Sequence, residues 1–173
     1  KSKKLFFMRI FLTGGTGFIG CHFVDQAMDA GYELICLKRP GSQPRIKLNH
    51  KPEWLEGSLT DNWCKQLSKC DIFVHLAAHS TNIPYDSLEN CLNVNLTISL
   101  QIIQQASAAG IRKFIIAGTG FEYGLSGEEY EFIPIDAPLK PTMTYAVSKA
   151  ASSIVFHQWA IDKKLKLKYL RIF

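Results

Sequence analysis

No apolar run in the 173-residue sequence reaches the roughly 18 residues that a membrane-spanning helix needs, so a chain that meets no membrane is expected. None of the five cysteines, Cys21, Cys36, Cys64, Cys70 and Cys91, forms a C-x-x-C pair or has a histidine at zinc-finger spacing. That pattern excludes the common structural zinc sites, and an odd count leaves no closed set of disulfides, so reduced thiols of a cytoplasmic protein are expected. Acids are missing from residues 1–9 and from 163–171, which hold four and five of the 20 basic residues and leave 11 basic against 15 acidic elsewhere. The formal charge of +5 therefore belongs to the chain ends and not to a basic face, and no nucleic-acid partner is expected. Residues 1–7 lack both a long apolar stretch and a small-residue cleavage site, so they read as an extension ahead of a start at Met8, not as a secretion signal. There is no internal repeat and no low-complexity linker, and residues 8–173 are the size of one domain.

What is present is an alternation. Apolar runs suited to buried strands fall at Arg9–Leu12, Glu33–Leu37, Ile72–Leu76, Phe114–Ala117 and Leu167–Ile172, with a weaker one at Glu53–Glu56. Helical periodicity separates them, at about 18–30, 61–69, 87–109 and 143–164, with Gly31 and Gly110 as stops. Strand and helix in turn imply an α/β fold, a doubly wound parallel sheet of six strands with helices on both faces, because right-handed crossovers lay each helix back on the sheet. The Gly- and Pro-rich segment 118–142 reads as loops at the carboxyl ends of the strands, where such sheets bind ligands.

The first strand runs into Thr13-Gly14-Gly15-Thr16-Gly17-Phe18-Ile19-Gly20, a G-x-G-x-x-G on Gly15, Gly17 and Gly20 between a strand and an amphipathic helix. Glycines there permit a tight turn and bring main-chain N–H groups and a helix N-terminus up to a pyrophosphate. Where an acid normally holds the adenosine ribose of NAD, the sequence reads Leu37-Lys38-Arg39-Pro40. Two bases in that position would pair with a 2′-phosphate, so NADP(H) is expected over NAD(H).

Tyr145 and Lys149 lie four residues apart at the start of a predicted helix and so share a face. A phenol titrates near pH 10 and is a poor base by itself; a nearby ammonium favours phenolate and lets Tyr145 exchange a proton with substrate. Lys149 would also hold the nicotinamide ribose, and Thr119 would orient the substrate oxygen.

Together these residues resemble the extended short-chain dehydrogenase/reductases, NAD(P)-dependent enzymes with a Rossmann fold that epimerise, dehydrate or reduce nucleotide sugars. The match starts at Met8 and includes His75-Leu76-Ala77-Ala78, Asn93-Val94-Asn95 and the run from Phe114 to Tyr123-Gly124. The resemblance implies a catalytic Thr119, Tyr145 and Lys149, with Asn95 steadying the active-site helix. It also puts Ser58, Leu59, Leu76, Ala77 and Ala78 beside the cofactor, although Gly57-Ser58-Leu59 lacks the aspartate usual in that motif. The Thr-Asp-Glu run of the 4,6-dehydratases is replaced by Thr119-Gly120-Phe121, which leaves 4-ketosugar reduction or 4-epimerisation by hydride transfer as the expected activity. Family members place a substrate lobe after the sixth strand, so the chain alone is expected to hold cofactor without turning over sugar. They also pair through the helices near 87–109 and 143–164, which implies a homodimer, with Ile98, Ile102, Ile154 and Val155 suited to the contact. The competing expectation is a non-catalytic NAD(P)-binding or redox-sensing module of the same fold.

Overall fold

The computed structural model describes residues 8–173; the expected extension at 1–7 lies outside them. Six strands form one parallel sheet: β1 (Arg9–Thr13), β2 (Glu33–Lys38), β3 (Glu53–Glu56), β4 (Ile72–His75), β5 (Lys113–Thr119) and β6 (Lys166–Ile172), in the spatial order β3-β2-β1-β4-β5-β6. The order reverses between β1 and β4, whose register pairs Thr13 with His75, so the switch point of the sheet opens beside the loop that follows β1. The helices are α1 (Phe18–Asp29), α2 (Cys64–Leu67), α3 (Leu88–Leu92), α4 (Ser99–Ala108) and α5 (Thr144–Asp162).

The described residues fall into two compact units, one running to Ala77 and including 102–115, the other made of 78–101 and 116–173. In the first, side chains alternate across β1: Ile10 and Leu12 meet Val24 and Ala27 of α1 together with Leu34, Cys36 and Val74. Phe11 points the other way and stacks on Phe73, which in turn lies 5.9 Å from Phe114. Each of these three phenylalanines is fully buried, and burial of one contributes about 1.5–3 kcal/mol.

In the second unit the inner face of α5 is unusually polar. Tyr145, Ser148, Lys149, Ser152 and Ser153 are all buried alongside Ala146, Ala150 and Phe156. The serines are satisfied locally: Ser152 donates to the carbonyls of Ser148 and Asn95 at 2.7 and 3.0 Å, and Ser153 to that of Ala150 at 2.9 Å.

Several expectations are corrected. The helix expected over 87–109 is interrupted by a π turn at Asn93–Ile98, and only Cys64–Leu67 is helical within 61–69. β5 runs on to Thr119, two residues into the segment read as loop. β6 is not a buried strand: Lys166, Lys168 and Leu170 are exposed, alternating with half-buried residues. Ile102, expected at a dimer face, is fully buried in the core, whereas Ile154 is 64% exposed.

Candidate functional site

In the first unit the glycine loop is shaped by contacts that leave no room for side chains. Gly14 has φ +79°, and a Cβ there would lie about 2.5 Å from the Ala77 main chain, so Leu76 and Ala77 lie against it. Leu76 N–H donates to the Thr13 carbonyl at 3.0 Å. A Cβ on Gly20 would collide with the Gly14 carbonyl, so α1 starts close under the loop. Gly17 caps α1 without a side chain, and the first turn carries no acid. Main-chain N–H groups with no competing carboxylate fit a pyrophosphate, so the residues present suit the dinucleotide expected from sequence. Phe18 and Ile19 are exposed at the same helix start, and Cys21 N–H closes the first turn on the Gly17 carbonyl.

A segment that sequence reasoning passed over folds onto this loop. Arg45 N–H donates to the Thr16 carbonyl at 3.1 Å, and the Ser42 hydroxyl to that of Thr16 at 3.2 Å. Arg39 is exposed and free of any ion pair among the described residues. Lys38 behaves otherwise: its ammonium pairs with Glu56 at 2.8 Å, donates to the Ser42 carbonyl at 3.3 Å and sits 5.9 Å from the centre of the Trp54 ring. Register explains the pairing, since Lys38 and Glu56 are opposed at the ends of β2 and β3. Lys38, expected at the 2′-phosphate, is thus paired within the chain. Ser58 N–H is capped by the Asp61 carboxylate at 2.8 Å, so an acid stands three residues beyond the position where the motif lacks one. His75 is a core histidine, its Nδ1 2.6 Å from the Thr13 hydroxyl.

In the second unit Thr119 ends β5 and Tyr145 opens α5, and the Thr119 side chain lies close enough to the Tyr145 hydroxyl to favour its phenolate. Tyr145 is buried, and its hydroxyl is pushed up to about 12, first by burial, then by the negative charge of Glu122 and by Tyr85, against the lowering effect of Thr119. Lys149 is only 3% exposed; its ammonium donates to the Ala117 carbonyl at 2.7 Å. Burial brings it down to about 8, and Glu122 resists that fall.

Asn95 is buried in the π turn and holds three partners. Its Oδ1 accepts His79 N–H at 2.7 Å, and its Nδ2 donates to the His79 carbonyl at 3.2 Å and to the Ser148 hydroxyl at 2.9 Å. Ser148 lies between Tyr145 and Lys149 and donates to the Tyr145 carbonyl at 2.7 Å, so Asn95 braces the turn of α5 that carries both. Ala78 precedes this anchored His79 in the chain.

Two neighbours of Tyr145 were not read from the sequence. Tyr85 lies parallel to it with ring centres 6.1 Å apart, on a loop knotted around Asp86. Asp86 binds Asn90, His79 and Ser87, which hold its carboxyl down at about 2, and its carbonyl accepts the Thr144 hydroxyl at 2.8 Å. Glu122 is the other; its burial is complete, and no local periodicity in a glycine-rich loop announces that.

Known proteins are similar to this chain in sequence and in fold. A UDP-glucose 4-epimerase of Lacticaseibacillus casei is 29% identical over 175 residues, covering 96% of this chain and 51% of that protein. A CDP-abequose synthase of Salmonella muenchen is 35% identical over 69 residues, 40% of this chain and 23% of that protein. The crystal structure of a UDP-glucose 4-epimerase from Thermotoga maritima with UDP-glucose superimposes with a TM-score of 0.78 at 28% identity, covering 95% of this chain and 55% of that one. The chain thus spans about half the length of the curated epimerase relatives it matches. Among the described residues no helix is long and apolar enough to cross a membrane. The profile of the NAD dependent epimerase/dehydratase family matches residues 10–173, and with the glycine loop and the Thr119, Tyr145 and Lys149 set in place the chain belongs to that family.

Proposed function

We propose that residues 8–173 are the NAD(P)-binding, catalytic half of an enzyme that alters carbon 4 of a nucleotide sugar, by 4-ketosugar reduction or 4-epimerisation. The observation that carries this reading is the buried Thr119 side chain beside the buried Tyr145 hydroxyl, with Lys149 one helical turn on. When bound, the nicotinamide supplies the redox chemistry at the sugar carbon. The chain's own residues do the rest. Tyr145 keeps its proton at neutral pH because burial and Glu122 disfavour the phenolate, so it is poised to donate to a ketone oxygen. Run backwards, it accepts the proton of a sugar hydroxyl, helped by whatever positive charge the bound partner brings. Thr119 orients the same oxygen. Lys149, protonated below about pH 8, is placed to bind a ribose, and Asn95 fixes the helix turn that presents it.

The glycine loop, from Gly14 to Gly20, takes the pyrophosphate, with Ser58, Leu59, Leu76, Ala77 and Ala78 at the adenosine and nicotinamide sides. The preference for NADP(H) over NAD(H) rests on Arg39, since Lys38 is bound to Glu56. Glu122 is buried and matched to Arg171, so it is no free acid for eliminating water, which argues against dehydration. Calorimetric titration with NADP(H) and NAD(H), before and after Arg39→Ala, tests the cofactor assignment. Tighter NADP(H) binding that Arg39→Ala removes supports it; tighter NAD(H) binding transfers the weight to epimerisation, and binding of neither overturns the reading.

A further inference from the structure

The reaction assigned above leaves one buried charge unused. Glu122 is fully buried, and its carboxylate accepts three hydrogen bonds from the protein. Its Oε1 accepts Thr119 N–H at 2.9 Å and the Tyr169 hydroxyl at 3.1 Å, and its Oε2 accepts Arg171 Nε at 2.9 Å. Arg171 is itself held, with Nη1 donating to the Tyr123 hydroxyl at 3.0 Å and the guanidinium lying 4.8 Å over the Tyr123 ring centre. The Tyr169 hydroxyl has one proton and two acceptors, Glu122 Oε1 and the Lys149 carbonyl at 3.0 Å, so it ties the carboxylate to the helix turn that ends on Lys149. Gly118 makes this possible: a Cβ there would meet the Tyr169 ring and Glu122 Oε1.

A buried ion pair is seldom the cheapest way to fill space, since an apolar pair of like volume is often as stable or more so. Its retention here needs another reason, and geometry offers one. The carboxylate closes a capping box with Thr119, fixing the main chain of the residue whose hydroxyl faces Tyr145.

We propose that Glu122 is a positioning residue for the reaction: with Arg171 and Tyr169 as its supports, it locks Thr119 so that the Thr119 hydroxyl is held toward Tyr145. This inference rests on the catalytic assignment of Thr119 and Tyr145. The charged and titratable groups that bear on the pair agree with it: Glu122 and Tyr85 act on Tyr145, and Glu122 acts on Lys149. Loss of the carboxylate charge therefore lowers the titration of both.

The test uses the full enzyme with a nucleotide sugar, hydrogen exchange at the Thr119 amide, and four variants. Thr119→Ala comes first; full activity in it sinks the catalytic assignment itself, whatever Glu122 does. Glu122→Leu with Arg171→Met removes the ion pair without stranding either charge. In this double variant the Thr119 amide should exchange faster and kcat fall roughly ten- to a hundredfold at nearly constant KM, the signature of misplaced chemistry and not of lost binding. Glu122→Gln with Arg171→Met restores an acceptor for Thr119 N–H; it should recover most of kcat while its pH profile stays displaced toward acid. Glu122→Asp keeps the charge and its arginine but is one methylene short, so it covers the case in which the apolar pair does not fold; it should show the same faster exchange and lower kcat. An inactive Thr119→Ala beside a double variant or a Glu122→Asp of undiminished kcat and unchanged exchange overturns the positioning role and leaves the catalytic one standing.

Discussion

At the scale of single residues, the two groups expected to do the chemistry sit in opposed electrostatic positions. Burial raises Tyr145 and lowers Lys149, and Glu122 pushes both upward. Tyr145→Phe removes the exchangeable proton and leaves the packing; kcat should fall by about 10²–10⁴ while cofactor affinity in calorimetry is retained. Lys149 also marks the pH dependence of folding. Its ordinary value of 10.5 drops to about 8 in the folded chain, so between those values the unfolded chain keeps a proton that the folded one has shed. Lys149 therefore contributes a rise in stability against denaturant from about pH 8, which the buried thiols of Cys36 and Cys70, pushed up from 9.0, oppose above pH 9 and Tyr145, raised from 10.0 to about 12, opposes above pH 10. Lys149→Met should flatten that rise; a variant with the same slope as the parent would show that the lysine is not the group responsible.

At the scale of elements, β1, β2 and β4 were legible because buried parallel strands write themselves as short apolar runs, and β3, with no fully buried residue, was still found at its full extent, Glu53–Glu56. The glycine loop was legible for a related reason, since Gly14 and Gly20 are positions where main chain meets main chain and any side chain would intrude. Gly14→Ala combines a positive φ with that intrusion and should cost at least about 1–3 kcal/mol in denaturant titrations, with loss of dinucleotide binding. What stayed hidden depends on partners distant in sequence. Lys38 reads as a free cation until Glu56 is found across the strand register, 18 positions away in the chain. Glu122 reads as a loop acid until Tyr169 and Arg171 arrive from β6. The π turn carries no pattern of its own, yet it sets the buried Asn95 between His79 and Ser148. Asn95→Ala strands buried polar groups on both, so it should destabilise by about 1–3 kcal/mol, measured by chemical denaturation.

At the scale of the whole molecule, α5 bears on association. Ile154 and Ile161 are 64% and 69% exposed and seven residues apart, which places them on one stripe of the helix. If that stripe forms the homodimer implied by resemblance, Ile154→Glu with Ile161→Glu should convert a dimer to a monomer in analytical ultracentrifugation; an unchanged sedimentation coefficient would place any dimer contact elsewhere. β6 is the outermost strand on its side of the sheet among the described residues. Its exposed alternate positions begin with Lys166 and Lys168 before reaching Leu170. The two ammonium groups stand two residues apart on one face of the strand, so that face is charged where it begins and apolar only at Leu170.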